Sequence, residues 1–268
     1  MSVSAVDRIL LKVDRAQEHY EALDREIAVF LQEHPPQPLI EHDFVHDCEI
    51  LRVGGLVPLP PRWGAIAGDI VGNARSALDH LAYQLVLANG RKPGQRTAFP
   101  VCTTIGHWYE ATKTEKSSPI RGMSPEARDA VQAVQPFSGR THDEARLSNL
   151  AGLHHLWNRD KHRLVHAARA FTAQERAEFT ITPGPPMTTV DLIEFPDNVP
   201  IEEGAMIGRV RLMAHELSIH TEVELNATIK LTVGFVGEPG DPIGTMHFLT
   251  SAIAEVRDLV TNQFAAHL

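Results

Sequence analysis

The sequence predicts an α+β protein that combines a helical bundle with an antiparallel sheet. Apolar residues recur with helical spacing through the first part of the chain, an alternation of period two follows over about 175–236, and a helical pattern returns over 245–266. Helices and strands that are segregated along a chain are typical of this fold class. We expect a single domain over residues 1–268, with a helical part at about 1–172 plus 245–268 and a sheet part at about 173–244.

The first predicted helix runs from residue 5 to about 33 and is amphipathic, with one apolar stripe and an otherwise polar surface. The stripe repeats at steps of four and three and consists of Ile9, Val13, Ala16, Tyr20, Leu23, Ile27 and Phe30. Pro35 and Pro36 end the helix, because proline lacks the backbone donor that a helix interior needs. Short β-like runs between about 38 and 60 then predict a hairpin.

A second helix is predicted over about 62–89, where an Asn-Gly pair forms a C-terminal stop. Its apolar stripe consists of Trp63, Ile66, Ile70, Ala74, Ala77, Leu81 and Leu85. Another side carries Gly68, Gly72, Arg75 and Asp79. The two glycines on that side predict the close approach of another backbone, because they have no side chain to keep it away.

A third long helix is predicted over about 144–171, after a long loop at 91–123 and a short helix at about 124–135. Its apolar stripe consists of Leu150, Leu153, Trp157, Leu164 and Ala168. Asp160 falls on the same stripe, so we expect a partly buried carboxylate that needs a cationic partner such as Arg75.

The sheet part is predicted from alternation. Residues 222–235 alternate almost strictly between apolar and polar side chains. This alternation predicts one long antiparallel strand with one solvent-exposed face. Shorter strands are predicted at 178–182, 187–194 and 206–213, and the final helix at about 245–266.

Composition excludes several classes of function. The chain of 268 residues has a net charge of −9 and a pI of about 5.9, so a nucleic-acid partner would have to be held by a local patch. Cys48 and Cys102 do not make a disulfide framework and are expected to be reduced thiols of a cytoplasmic protein. The sequence shows no signal-peptide core and no stretch long enough to span a bilayer, so we expect no membrane partner.

The run from Asn158 to His166 is the strongest functional signal, because it crowds three cations, one acid and two histidines into an otherwise core-forming segment. On the predicted helix, Arg159, His162 and His166 stand at i, i+3 and i+7 and form one polar row opposite the apolar stripe. Any chemistry is expected in that row, and Asp160 is expected to be structural.

The pattern of Arg159 followed by an acid and then, seven positions after the arginine, by His166 resembles the signature of the HEPN superfamily, helical proteins of which many cleave RNA. The resemblance implies a metal-independent ribonuclease or RNA-binding protein of a toxin or phage-defence kind, without a cofactor. It implies His166 as general acid/base, with His162 beside it, Arg159 as phosphate ligand and Asp160 as orienting acid. In that family the site lies between two protomers, so a homodimer is expected.

A second segment, at residues 73–81, fits a related pattern through Arg75, Asp79 and His80. Arg75 and His80 diverge by roughly 140° on a helix, so they rank below the first pair, although the two helices could build one shared site. The segment together with residues 158–163 also resembles a family of uncharacterised actinobacterial and phage-associated proteins, and this resemblance extends to residues 99–101 and 135–137. It supports a shared site and implies no reaction.

Two alternatives stay open. His162 and His166 at i, i+4, completed by His80 or Asp79, would suit a metal site in a helical bundle, although neighbouring cations oppose it. Alternatively, the charged residues form a buried interhelical ion network that fixes helix register without chemistry. That network would consist of Arg75, Asp79, Arg159, Asp160 and Lys161.

Overall fold

The computed structural model of the chain describes residues 4–46, 48–114, 116–161, 166–170, 178–182, 188–192, 201–214, 224–228, 232–236 and 244–268. It divides into two compact units. The first consists of Met1–Asp24, Pro61–His166 and Met246–Leu268, and the second of Arg25–Pro60 and Ala167–Thr245. The hairpin segment before Pro60 therefore belongs with the strands, whereas the sequence had placed it in the helical part.

The α+β class is confirmed. The helices are α1 (Ala5–Glu33), α2 (Arg62–Ala88), α3 (Ile105–Thr112), α4 (Pro125–Ala133), α5 (His142–Arg146), α6 (Asn149–Asp160) and α7 (Met246–Asp258), the last continued by a π-helical turn at Leu259–Gln263. The predicted boundaries of α1, α2 and α4 agree with the structure within two residues. The predicted loop at 91–123 is interrupted by α3, which Thr104 caps by accepting a hydrogen bond from the backbone of His107.

The helical unit is held by the apolar stripes that the sequence predicts. Ile9, Val13 and Ala16 of α1 are fully buried, and so are Trp63 and Leu81 of α2. Burial of this kind is the main favourable term in folding, worth about 1.5–3 kcal/mol for each large apolar side chain.

The predicted helix over 144–171 is wrong in its extent. Ser148 breaks it by capping α6, because its hydroxyl accepts a hydrogen bond from the backbone of Ala151. The helix then ends at Asp160, and His166–Ala170 forms a strand, β3, that lies beside a later strand. Apolar spacing in a short segment is compatible with either structure, and pairing in a sheet overrides the local helical pattern.

The second unit is built from strands. They are β1 (Gln37–Asp43), β2 (Cys48–Gly54), β3 (His166–Ala170), β4 (Glu178–Thr182), β5 (Thr188–Leu192), β6 (Met206–Ala214), β7 (Glu224–Thr228), β8 (Thr232–Val236) and β9 (Gly244–Thr245). They form sheets of order β1-β2-β6-β5, β3-β8-β9 and β4-β7. The predicted hairpin and the three short predicted strands are confirmed as β1–β2, β4, β5 and β6.

The described parts of the single long strand predicted over 222–235 are strands, β7 and β8. β7 pairs with β4 and β8 pairs with β9, and residues 229–231 between them lie outside the described residues. The predicted burial is confirmed at Val233 and Phe235, which are both fully buried.

Among the described residues, no helix is long and apolar enough to cross a membrane. Both cysteines are free thiols in buried positions, and burial raises the pKa of Cys102 above its ordinary value.

Candidate functional site

The two motif-bearing helices, α2 and α6, pack against each other, an arrangement that the sequence left open. Arg75 of α2 is buried, and its guanidinium lies 5.0 Å from the centre of the Trp157 ring of α6. Its Nη2 donates to Asp79 Oδ1 at 2.8 Å and to the carbonyl of Phe99 at 2.5 Å. The Arg75–Asp79 ion pair is therefore within one helix, and the predicted interhelical network is wrong at this position.

Asp79 connects this pair to the chain that follows α2. Its Oδ1 also accepts a hydrogen bond from the backbone of Phe99 at 3.0 Å. Arg75 and Asp79 together thus satisfy both backbone groups of Phe99, which is fully buried. Arg75 and Asp79 therefore anchor the loop that contains Phe99 to α2.

Gln135 fastens the next turn of the same loop from the other side. Its side chain is fully buried, accepts from the backbone of Cys102 at 2.9 Å, and donates to the carbonyls of Pro100 and Val131 at 3.0 Å. The segments around 75, 99 and 135, which the sequence singled out together, therefore meet in one buried scaffold.

Trp157 is the centre of a cationic cluster at the α2–α6 interface. The exposed Lys161 places its Nζ 3.0 Å from the centre of the indole ring, and the ring of His154 lies 5.9 Å away. Burial, followed by the positive charges of Arg75 and Lys161, lowers the pKa of His154 to about 4. His154 is therefore neutral at pH 7.

Asp160 is half-buried, as predicted, but the predicted pairing with Arg75 is wrong. Its carboxylate lies against Gly68 of α2, where a Cβ atom would stand 2.3 Å from Oδ1. Burial, and the neighbouring charge of Asp69, raise the pKa of Asp160. The sequence predicts the close approach of a backbone at both glycines, but a side chain lies against Gly68, and no described atom lies within 4 Å of a Cβ at Gly72.

The outward row of Arg159, His162 and His166 has no helix to align it. Arg159 stands in the last turn of α6, His162 lies outside the described residues, and His166 opens β3 with a side chain that is also outside them. The predicted alignment of Arg159 with His166 and the predicted metal-binding pair of His162 and His166 both required a helix that continues to residue 166. The helix ends at Asp160, before His162 and His166. Their catalytic and metal-binding roles stay predictions.

His80 is exposed on α2. It follows Asp79 in sequence, but it takes no part in the network that joins Arg75 and Asp79 to Phe99. Among the described residues, no three histidine, cysteine, aspartate or glutamate side chains are grouped in a way that could hold a metal ion.

The structure adds a basic cleft that the sequence analysis missed. It has a volume of about 620 Å³ and lies between the chain after α2 and the chain before α4. Six cations line it, and none of the described residues that line it carries a carboxylate. The cations are Arg91, Lys92, Arg96, Lys116, Arg121 and Arg128.

A second cavity of about 430 Å³ adjoins the basic cleft and shares Ser118, Arg121 and Arg128 with it. It adds Lys113 and one acid, Asp129. The Nε atom of Arg128 is buried and has no hydrogen-bond acceptor among the described residues. The two cavities therefore meet at an arginine that has an unused donor.

Backbone and side-chain hydrogen bonds hold the walls of the basic cleft. Asn89 donates to the carbonyl of Gly122 at 3.0 Å, and the backbone of Ala98 donates to the carbonyl of Pro119 at 3.2 Å. A signal for the cleft was present in the sequence, since residues 91–123 carry six cations and only two acids. What the sequence did not show was that 91–97 and 116–123 lie side by side.

Comparison with known proteins adds nothing to this geometry, because no family model, curated protein or solved structure matches the chain.

Proposed function

We propose that this protein binds RNA through the basic cleft. The observation that supports the proposal is the convergence of six cations, without a carboxylate among the described lining residues, in a chain whose net charge is −9. The rest of the protein is acidic, so this concentration of positive charge is a local one of the kind that a polyanion requires.

The shape of the site favours a chain of phosphates over a single phosphate. The cleft continues into the second cavity through Ser118, Arg121 and Arg128, so cations are distributed along a path. Five of the six cations of the basic cleft are exposed, and Arg128 is half-buried between the two cavities. A path of this kind suits successive phosphates of a nucleic acid, because each cation neutralises a different group.

The lining also indicates how RNA would be recognised. The neutral polar side chains of Asn89, Gln95, Thr97 and Ser118 can hydrogen-bond to phosphate and ribose oxygens. The described residues of the basic cleft include no aromatic ring on which a base could stack. We therefore expect contacts to the sugar-phosphate backbone, with weak dependence on base sequence.

The test is fluorescence anisotropy of a labelled single-stranded RNA titrated with the wild-type protein and with Arg121→Gln/Arg128→Gln. The double variant is expected to bind about tenfold to a hundredfold more weakly, because it removes two phosphate ligands shared by both cavities. Arg146→Gln is the matched control, since Arg146 is an exposed arginine of α5 outside both cavities. Wild-type protein that does not bind RNA at low salt would refute the proposal, and so would equal binding by the two variants.

RNA cleavage at Arg159 and His166 is a separate prediction from the HEPN resemblance. It is tested by incubating end-labelled RNA with wild-type protein and with Arg159→Ala and His166→Ala, in the presence of a chelator. Cleavage by the wild-type protein that both folded variants lose would support it. Cleavage that persists in both variants would assign the activity to other residues.

The proposal includes two further expectations from the sequence, a homodimer and a cytoplasmic location. Light scattering coupled to size-exclusion chromatography gives the mass in solution directly. A monomer at all concentrations would remove the shared, two-protomer site that the HEPN resemblance implies, but it would leave the basic cleft intact, since the cleft is formed within one chain.

A further inference from the structure

The interface of α2 and α6 has more hydrogen-bond donors than acceptors around Arg75. The side chain of Arg75 is only 4% exposed, and Nη2 is satisfied by Asp79 and Phe99. Its Nε and Nη1 atoms are buried, and the described residues offer them no acceptor. Unsatisfied donors of a buried charged group are costly, so a missing acceptor is the first explanation to consider.

His154 supplies a further unused donor at the same interface. The amide nitrogen of Asn158 lies 3.0 Å from Nε2 of His154. Since an amide nitrogen can only donate, Nε2 accepts and the proton of the neutral imidazole is assigned to Nδ1. That Nδ1 atom is buried and also has no acceptor among the described residues.

Among the described residues, the carboxylates of Asp79 and Asp160 do not balance the positive charge of the cluster. Arg75 and Lys161 both contact the ring of Trp157, at 5.0 Å and 3.0 Å from its centre. Asp79 is already shared between Arg75 and the backbone of Phe99. Asp160 lies instead against Gly68, where burial and the charge of Asp69 raise its pKa.

We infer that Arg75, His154 and Lys161 form a site around Trp157 for an oxyanion, the carboxylate or phosphate group of a small ligand. The oxygens of the ligand accept hydrogen bonds from Arg75 and from His154 Nδ1, and Lys161 supplies a second positive charge. The ligand enters on the side of Lys161 and Trp157, because Lys161 is exposed and Trp157 is half-buried. This site is separate from the basic cleft, with which it shares no lining residue.

The test is a titration of the full-length protein with sodium phosphate and, separately, with sodium acetate, at an ionic strength held constant with sodium chloride. Intrinsic fluorescence and isothermal calorimetry are recorded together. Trp157 is half-buried whereas Trp63 and Trp108 are buried, so binding is expected to change the emission of Trp157. The anion that gives the tighter saturable binding identifies the ligand group as phosphate or carboxylate.

Variants assign the binding to residues. Lys161→Gln is expected to weaken binding about tenfold, because it removes one charge from an exposed position without disturbing the core. Trp157→Phe is expected to abolish the fluorescence change but not the calorimetric signal. Arg146→Gln, at an exposed arginine of α5 outside both cavities, is the control and is expected to bind like the wild type, and Lys92→Gln reports separately on the basic cleft.

Three results would overturn the inference. The first is the absence of saturable binding of either anion. The second is unchanged binding by both Lys161→Gln and His154→Ala. The third is loss of binding in Lys92→Gln, which would place the anion in the basic cleft. RNA binding and oxyanion binding can fail separately, since the double variant of Arg121 and Arg128 affects only the former.

Discussion

The carboxylate of Asp160 occupies the space that a side chain at Gly68 would need, with Oδ1 only 2.3 Å from the position of the absent Cβ. This relationship sets the distance between α2 and α6 at one end of the candidate site. Four residues along α2, no described atom lies within 4 Å of the corresponding position at Gly72. The two glycines of one helix therefore have opposite roles.

Gly68→Ala is expected to lower the free energy of unfolding by about 1–3 kcal/mol, because α6 must move or Asp160 must leave its position. Gly72→Ala is expected to raise it by about 0.5–1 kcal/mol, since alanine is the better helix former and nothing obstructs it. Urea denaturation of both variants measures the difference. Equal effects in the two variants would contradict the tight contact, and Asp160→Ala is expected to relieve most of the cost of Gly68→Ala.

Asp160→Asn is expected to stabilise the protein at pH 7 by a few tenths of a kcal/mol, since the charge of a half-exposed group is partly screened. Burial and Asp69 raise the pKa of Asp160 in the folded state, so the folded protein holds that proton more tightly than the unfolded chain. The ionised carboxylate therefore costs stability above its folded pKa, and this cost disappears as the pH falls below the ordinary value of 3.8. Denaturation at several pH values checks this, and destabilisation at pH 7 would show that Asp160 has a cationic partner.

The sequence predicted α1, α2 and α4 because apolar periodicity reports directly on burial. One long element was predicted wrongly. The helix predicted through His166 ends at Asp160, and His166–Ala170 forms a strand that pairs with a distant strand, a partner on which local patterns contain no information. The basic cleft was missed because its walls are loops joined by backbone hydrogen bonds, such as Ala98 to Pro119.

Gln135→Leu is expected to lower the free energy of unfolding by about 2–4 kcal/mol, because it leaves the backbone of Cys102 and the carbonyl of Pro100 without partners in the core. Thermal and chemical denaturation measure the loss. Gln132→Leu is the control, since Gln132 is half-exposed in the last turn of α4, three residues before Gln135, and it is expected to change stability by less than about 0.5 kcal/mol. A similar small effect for both would mean that the loop does not depend on Gln135.

Acid is expected to destabilise the protein through His154. Its pKa is lowered from 6.5 to about 4 in the folded state, so the unfolded chain binds a proton that the folded protein does not bind between these values. The contribution of His154 to the free energy of unfolding is therefore fully present above pH 6.5 and is lost as the pH falls towards 4. After allowance for the partial exposure of the ring, the loss is on the order of 1–2 kcal/mol. His154→Gln, which cannot titrate, is expected to flatten the dependence between pH 6.5 and 4. An unchanged slope in this variant would assign the effect to other groups.

RNA binding through the basic cleft predicts a specific dependence on salt. For a single strand, the logarithm of the association constant falls with the logarithm of salt concentration by about 0.7 for each phosphate neutralised, so six contacts correspond to a slope of about −4. Arg121→Gln is expected to make the slope shallower by about 0.7, because it removes one such contact, whereas Arg146→Gln leaves the slope unchanged. Anisotropy titrations at several salt concentrations measure all three slopes. A slope near zero for the wild type would mean that the six cations do not bind phosphates. If Arg146→Gln changes the slope as much as Arg121→Gln does, RNA binds to the general surface and not in the cleft.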